Sequence, residues 1–439
     1  MNQQKRPASR RRSNQRRGNK RVATQGDSLV GTEFEVEVGD VAHGGHCVAR
    51  HDGRVVFVRH ALPGEQVVAR VTDGGTTSRF LRADAVRIVQ ASPERREAPC
   101  RFSGPGACGG CDWQHTSAAF GRELKTRVVR EQLRRLAGID WPGVVEQVPG
   151  DEDGLRWRTR VEFSVSPDRR LGLRKHRSHD IVPVDDCLIA VPEIAATGLL
   201  EEPAEPDTTG VDVAVAADGE VVAVDLPVRD SGIPNLVERV APNGLSARGF
   251  RVSARGFWQV HPGAAATFVG AALDGLQPKP GERALDLYAG VGVFTAFLAE
   301  AVGPEGLVLG LEGDSRAVRD AGPNIAGFGH ATLERADIGH DGWGSVVDET
   351  LDRVDLVVLD PPRSGAGRAV VRDVLARRPR RAAYIACDPA ALARDLAYAA
   401  ESGYEVVSLR AFDAFPMTHH IECVAILEAA GAVADQIRR

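Results

Sequence analysis

The sequence has no long apolar stretch. No run approaches the ~18 uninterrupted apolar residues needed to cross a bilayer, which excludes a helical membrane protein. The N-terminus lacks the apolar core of a secretory signal, and cysteine is scarce, seven residues in 439 and an odd number. A secreted disulfide scaffold is therefore not expected, and metal or catalytic use in a reducing cytoplasm is the expectation. Acidic residues are missing altogether from residues 1–21, where nine Lys and Arg stand. What is present, 43% apolar and 26% charged residues, suits two or three folded domains. The formal net charge of −5 averages two unlike parts: beyond the basic arm, 46 basic residues face 60 acidic ones, a net of −14. A polybasic arm on an acidic body suits a partner of nucleic acid, and equally a solubility tail.

Along the chain, residues 1–27 are polar and aperiodic and read as a disordered basic tail. Residues 28–90 alternate in short strands, such as Glu33-Phe-Glu-Val-Glu-Val38, Arg54-Val-Val-Phe-Val58 and Gln66-Val-Val-Ala-Arg-Val71. Gly44-Gly45, Asp52-Gly53, Pro63-Gly64 and Gly74-Gly75 break them, which predicts a small, OB-like β-barrel. Residues 91–260 read as a central α+β domain with a cysteine cluster, a helix over 117–137 and a strand over 158–165. From 261 to 439, apolar strands (283–288, 306–311, 354–359, 382–386, 404–410, 421–427) alternate with helical segments. That is the pattern of an α/β, doubly wound, Rossmann-like sheet.

Four segments carry chemistry. In Arg283-Ala-Leu-Asp-Leu-Tyr-Ala-Gly-Val-Gly-Val-Phe-Thr295, a strand ends in a turn holding Gly290 and Gly292 and a helix follows, so a cofactor can lie against the backbone. Thr295 replaces the third glycine that a pyrophosphate-binding fingerprint needs. S-adenosylmethionine (SAM) carries no phosphate and makes no such demand. Glu312, 22 positions after Gly290, can accept both ribose hydroxyls, and Asp337 is placed to reach an adenine amino group. In Leu356-Val-Val-Leu-Asp-Pro-Pro-Arg-Ser-Gly365, two prolines stiffen the strand exit behind Asp360. Cys387, in Ala383-Tyr-Ile-Ala-Cys-Asp-Pro-Ala-Ala-Leu-Ala-Arg394, ends the next strand. A thiol there is a nucleophile if deprotonated, though most cysteines in that position are small buried hydrophobes. Glu422, in Phe415-Pro-Met-Thr-His-His-Ile-Glu422, can act as a general base.

The order of these segments, Asp-Leu-Tyr-x-Gly-x-Gly-x-Phe-Thr, Asp-Pro-Pro-Arg-x-Gly, Cys-Asp-Pro-x-x-Leu-Ala-Arg-Asp and Phe-Pro-x-Thr-x-His-x-Glu, resembles the SAM-dependent RNA uracil-C5 methyltransferases. Residues 29–89 resemble the TRAM domain, an RNA-binding module fused to many of them. The resemblance implies an RNA partner, in ribosomal or transfer RNA, and a covalent mechanism. Cys387 would add to uracil C6, C5 would take the methyl group of SAM, and Glu422 would remove the C5 proton. It gives Gln259 (in Phe257-Trp-Gln-Val-His-Pro262), Tyr288, Gly290, Gly292, Glu312, Asp337 and Asp360 to the SAM site. His261 and Val293 depart from the family, which often has Asn and a polar residue there. Certain members carry a [4Fe–4S] cluster, and Cys100, Cys108, Cys111 and remote Cys187 could hold one here. The Cys100–Cys108 spacing is two residues longer than usual, over Ser103-Gly-Pro-Gly106. Zinc or plain structural thiols are the alternatives. Cys47 and Cys423 read as core residues.

Three rivals share parts of this pattern. An NAD-dependent oxidoreductase would need the third glycine and has no use for Cys387. A non-catalytic RNA-binding protein would not require Cys387, Glu422 and the SAM site together. A cytosine-C5 methyltransferase also uses a cysteine adduct, but the Glu422 segment favours uracil.

Overall fold

The structure is a computed structural model that describes residues 26–228 and 232–431; the basic arm over residues 1–21 lies outside the described residues. The first five strands, β1 (Glu33–Glu37), β2 (Cys47–His51), β3 (Arg54–Arg59), β4 (Gln66–Asp73) and β5 (Phe80–Gln90), form one sheet in the order β1-β4-β5-β3-β2. Their alternation sets the faces. Val36, Ala49, Val56, Val58, Ala69 and Val71 are buried, while Glu35, Arg50 and Arg70 face water. Asp52 and Gly53 have φ of 49° and 76°, the paired positive values of a two-residue hairpin turn between β2 and β3.

Helix α1 (Ala118–Ala137) begins where Ser117 Oγ accepts the Phe120 N–H (3.0 Å) and ends at Gly138, φ 68°. After β6 (Val145–Gln147) come β7 (Arg160–Val165), β8 (Leu171–Arg174), β9 (Ile181–Pro183), α2 (Pro192–Ala196), β10 (Gly210–Val215) and β11 (Val221–Leu226). Strands β7 to β11 make an antiparallel sheet ordered β11-β10-β7-β8-β9, and β12 (Asn235–Val240) with β13 (Arg248–Ser253) makes a hairpin.

The remaining elements are α3 (Ala264–Leu276), β14 (Arg283–Leu287), α4 (Val293–Val302), β15 (Leu307–Glu312), α5 (Ser315–Ile325), β16 (Ala331–Arg335), α6 (Trp343–Thr350), β17 (Leu356–Leu359), α7 (Gly367–Ala376), β18 (Arg381–Ala386), α8 (Pro389–Glu401), β19 (Tyr404–Asp413) and β20 (Glu422–Ala429). They form the expected doubly wound sheet, ordered β16-β15-β14-β17-β18-β20-β19-β6, with β20 antiparallel to its neighbours. Its central strands are apolar runs buried on both faces. Leu285, Leu287, Leu309, Val357 and Leu359 pack toward α1, α6, α7 and α8 in a core that continues into the barrel. Ala284, Val308, Leu356, Val358 and Ile385 pack toward α3, α4 and the β12–β13 hairpin.

One expectation needs correcting. Residues 91–260 do not fold as a unit, because β6 pairs in parallel with β19 in the methyltransferase sheet and α1 shares its apolar core with α8. Phe250 and Val252 of the hairpin likewise belong to the core with α3 and α4. Strands β7 to β11, by contrast, build a separate sheet with its own core.

Candidate active site

The order of the parallel strands reverses between β14 and β17, and a crevice opens beyond their carboxyl ends. Tyr288 (φ 64°), Gly290 (φ 54°) and Gly292 (φ 83°) all take left-handed conformations in the turn after β14. A Cβ on Gly292 would stand 3.2 Å from Ile325 Cγ2, so the helix entry is tight there. The Gly290 N–H donates to Glu312 Oε2 (2.9 Å), and the other oxygen of Glu312 accepts the Asp314 N–H (2.8 Å). Glu312 is thus aimed at the glycine turn. Asp337 sits one strand further out, its carboxylate 3.3 Å from the Cβ position of Gly313.

Gln259, Tyr288, Gly290 and Asp360 line one cavity with Phe257, Trp258, Val293 and Phe294. Burial pushes the Asp360 carboxyl up to about 7, and the Glu312 charge adds to it. Thr295, at the position of the missing third glycine, donates its hydroxyl to buried Asp286 Oδ2 (2.6 Å). Burial raises Asp286 to about 7 as well. His261 is not among the residues lining this cavity; it is buried, stacked on Trp157 at 5.8 Å, with Nδ1 accepting the Gly263 N–H (3.2 Å).

Strands β18 and β20 are antiparallel with Ala386 opposite Cys423, so one residue further Cys387 stands opposite Glu422. Cys387 is half-buried and Glu422 buried. Burial, then the neighbouring Glu422 and Asp360, push the Cys387 thiol up to about 12, while Arg363 pulls it down. Burial and Asp360 hold the Glu422 carboxyl well above the usual range, again opposed by Arg363. Asp388 begins α8 by accepting the Ala391 N–H (2.7 Å) and bonds His43 of the barrel (2.9 Å), so the barrel reaches the residue next to Cys387.

Several bracing residues went unassigned in the sequence. Asp395, buried in α8, accepts the Ala366 N–H (2.8 Å), the Gly367 N–H (3.1 Å) and the Tyr384 hydroxyl, which fixes the loop after Asp-Pro-Pro-Arg. Lys125 of α1, also buried, pairs with Asp413 Oδ1 (2.5 Å) and donates to the Phe415 carbonyl (3.0 Å). Both are charges on an otherwise apolar helix face, a pattern visible without coordinates.

Away from this crevice, Cys100, Cys108, Cys111 and Cys187 are free thiols lining one cavity of about 350 Å3. Arg158, Arg174, Lys175 and Arg177 surround them. Burial raises the Cys108 thiol, and raises Cys187 to about 11. Among the described residues, no three His, Cys, Asp or Glu side chains form a group able to hold a metal ion. Cys47 and Cys423 are fully buried in the core, as expected.

Comparison with known proteins adds an independent line. Residues 27–86 match the TRAM domain family, residues 347–430 the family described as tRNA (Uracil-5-)-methyltransferase, and residues 260–346 protein-L-isoaspartate(D-aspartate) O-methyltransferase. The last match falls on the glycine turn and Glu312, and its description names a different methyl acceptor. An RNA methyltransferase of Streptomyces coelicolor is 50% identical, over 92% of this chain and 94% of its own. RlmD, the 23S rRNA (uracil(1939)-C(5))-methyltransferase of Pseudomonas aeruginosa, is 32% identical, over 91% and 95%. The tRNA (uracil-54, C5)-methyltransferase of Pyrococcus abyssi, solved with S-adenosyl-L-homocysteine, has the same fold: TM-score 0.64, 21% identity, covering 89% of this chain and 99% of that one. With a glycine turn, an Asp-Pro-Pro loop and a Cys-Asp-Pro loop meeting at one crevice, the chain belongs to the SAM-dependent RNA uracil-C5 methyltransferase family with an N-terminal TRAM domain.

Proposed function

We propose that the protein methylates C5 of a uridine in large-subunit ribosomal RNA through a covalent adduct on Cys387. The observation that carries this is the pairing of β18 with β20, which sets Cys387 opposite Glu422 beside the crevice lined by Gln259 and Asp360. The 32% identity to RlmD across nearly the whole chain supports ribosomal over transfer RNA.

SAM supplies the methyl group as a sulfonium. The target base must be flipped out of the RNA to meet the thiol. The thiolate of Cys387 adds to C6, forming a C–S bond and an enolate. C5 takes the methyl group, Glu422 removes the C5 proton, and elimination breaks the C–S bond and returns the thiolate. In the free protein, burial disfavours the charged forms of both Cys387 and Glu422. Arg363 favours the charged form of both, which assigns it the task of easing deprotonation once substrate is in place. Gln259, Tyr288, Gly290, Gly292, Glu312, Asp337 and Asp360 would hold SAM. Glu312 is already oriented by the Gly290 N–H for the ribose.

The same reading extends to the cysteine cavity, where Cys100, Cys108, Cys111 and Cys187 would hold a [4Fe–4S] cluster. The two extra residues are taken up in turns: the Ser103 N–H bonds the Cys100 carbonyl (3.0 Å), and the Cys108 N–H returns to Phe102 (2.9 Å). Gly104 and Gly106 supply the positive φ that these turns need. The surrounding Arg and Lys side chains suit an anionic cluster. TRAM strands and exposed Arg170, Arg174 and Arg177 would carry phosphate contacts.

Mapping 5-methyluridine in total RNA from cells with and without the gene tests the reading. Loss of one 23S rRNA site is expected; loss confined to transfer RNA would overturn the substrate, and no loss would overturn the activity.

A further inference from the structure

Three parts of the chain that are distant in sequence meet at buried Asp112, the residue after Cys111. Its Oδ2 accepts the backbone N–H of His419 (3.0 Å) and lies 2.6 Å from His419 Nδ1. Its Oδ1 is 3.5 Å from an Arg59 guanidinium nitrogen on barrel strand β3. The backbone takes part as well, because the Asp112 and Trp113 N–H groups both donate to the Met417 carbonyl (2.9 and 3.1 Å). Met417 is held at φ 63°, a conformation that a side chain such as its own rarely adopts. Such strain persists only where the surroundings over-determine it.

The barrel closes over this contact. A Cβ on Gly45 would stand 2.7 Å from His419 Cβ and 3.3 Å from Asp112 Cγ, so only glycine fits. From His419 the chain needs three residues to reach Glu422. Between them His420 packs against Phe415 (5.6 Å), and its N–H donates to Thr418 Oγ1 (3.3 Å). His419 stands at a position that the Phe-Pro-x-Thr-x-His-x-Glu pattern leaves open, so this clamp is a feature of the chain's own side chains.

We infer that Asp112 is a positioning residue for the methyl-transfer reaction: by gripping His419 and Met417 it sets the loop that delivers the Glu422 carboxyl to the C5 proton. The inference rests on Glu422 being the base. Removing the carboxylate releases His419 while the backbone bonds to the Met417 carbonyl remain, so residues 418–421 can shift toward Glu422, and displacement of a reacting group by ~1 Å costs on the order of a hundredfold in rate. The SAM pocket is built from other residues, so cofactor binding should not change.

The test compares Asp112→Ala, Asp112→Asn and Glu422→Gln in the full-length protein, using its RNA substrate and labelled SAM. Asp112→Ala should lower kcat by about ten- to a hundredfold with KM for SAM within about twofold. It should also accumulate covalent RNA–protein adduct on denaturing gels, because proton removal from the methylated adduct is the step that slows. Asp112→Asn keeps an acceptor for the His419 N–H and should restore kcat to within about fivefold of the parent. A merely structural role would lower methyl transfer and adduct together. That result overturns the inference, as does unchanged kcat in Asp112→Ala. If Glu422→Gln accumulates adduct and Asp112→Ala does not, the positioning role fails alone. If Glu422→Gln yields none, the base assignment fails and takes the inference with it.

Discussion

The thiol of Cys387 offers the sharpest quantitative test of the site's electrostatics. Burial and two neighbouring carboxyls push it up to about 12 from an ordinary 9.0. At pH 8 the thiolate fraction is then about one in ten thousand, against about one in eleven for an ordinary thiol. A more basic thiolate is intrinsically more nucleophilic, by about twentyfold over three pH units at a Brønsted slope near 0.45. The two effects oppose, and the population term wins by about fortyfold. Iodoacetamide alkylation of Cys387, followed by peptide mass spectrometry, should therefore be slow at pH 8 in the free protein. The rate should rise tenfold per unit from pH 7 to about pH 10.5 with no inflection. Partial burial lowers the absolute rate at every pH but leaves that slope intact. Glu422→Gln, which removes the larger of the two acidic neighbours' contributions, should move the inflection down and raise the alkylation rate at a given pH. A plateau near pH 8 to 9 in the parent protein would refute the reasoning.

Other outcomes follow from the bracing residues and the cysteine cavity. Lys125→Met leaves Asp413 buried without its cation and should cost about 3–5 kcal/mol in urea unfolding, with most of it recovered in the double variant Lys125→Met/Asp413→Leu. A single-variant loss below ~1 kcal/mol would show that the pair does not anchor the loop. In Gly365→Ala the new Cβ would lie 2.6 Å from Asp395 Oδ2 at φ 84°, so a melting-point drop equivalent to about 1–3 kcal/mol is expected; an unchanged melting point would contradict the bracing role of Asp395. Protein purified without oxygen should absorb broadly near ~400 nm and lose that band in Cys108→Ser, whereas a colourless, iron-free preparation would contradict the cluster.

The doubly wound sheet was legible because its parallel strands are buried on both faces and read as apolar runs, such as Leu356–Leu359. The crevice was legible because its residues follow strand ends at short, regular distances: Gly290 after β14, Asp360 after β17, Cys387 after β18. The barrel strand Phe80–Gln90 was harder, since Arg82, Asp84 and Arg87 interrupt its apolar pattern. The division at residue 260 failed for a different reason. Three-residue β6 joins a sheet whose other strands begin 136 residues later, and a pairing so short and so distant leaves no local periodicity. The contacts that brace the site, Lys125 to Asp413, His43 to Asp388 and Asp112 to His419, each span about three hundred residues. Lys125 can be noticed as a charge among the apolar residues of α1, whereas His43, Asp112 and their partners lie in loops and caps and emerge only when the chain is folded.

The central claim is that Cys387 forms the bond that activates the uridine. It is tested most directly by incubating the parent protein and Cys387→Ala with labelled SAM and 23S rRNA lacking the modification. The parent should transfer label to C5 of one uridine, and Cys387→Ala should transfer none while binding SAM as before. Label appearing at the same uridine with the alanine variant would contradict the account.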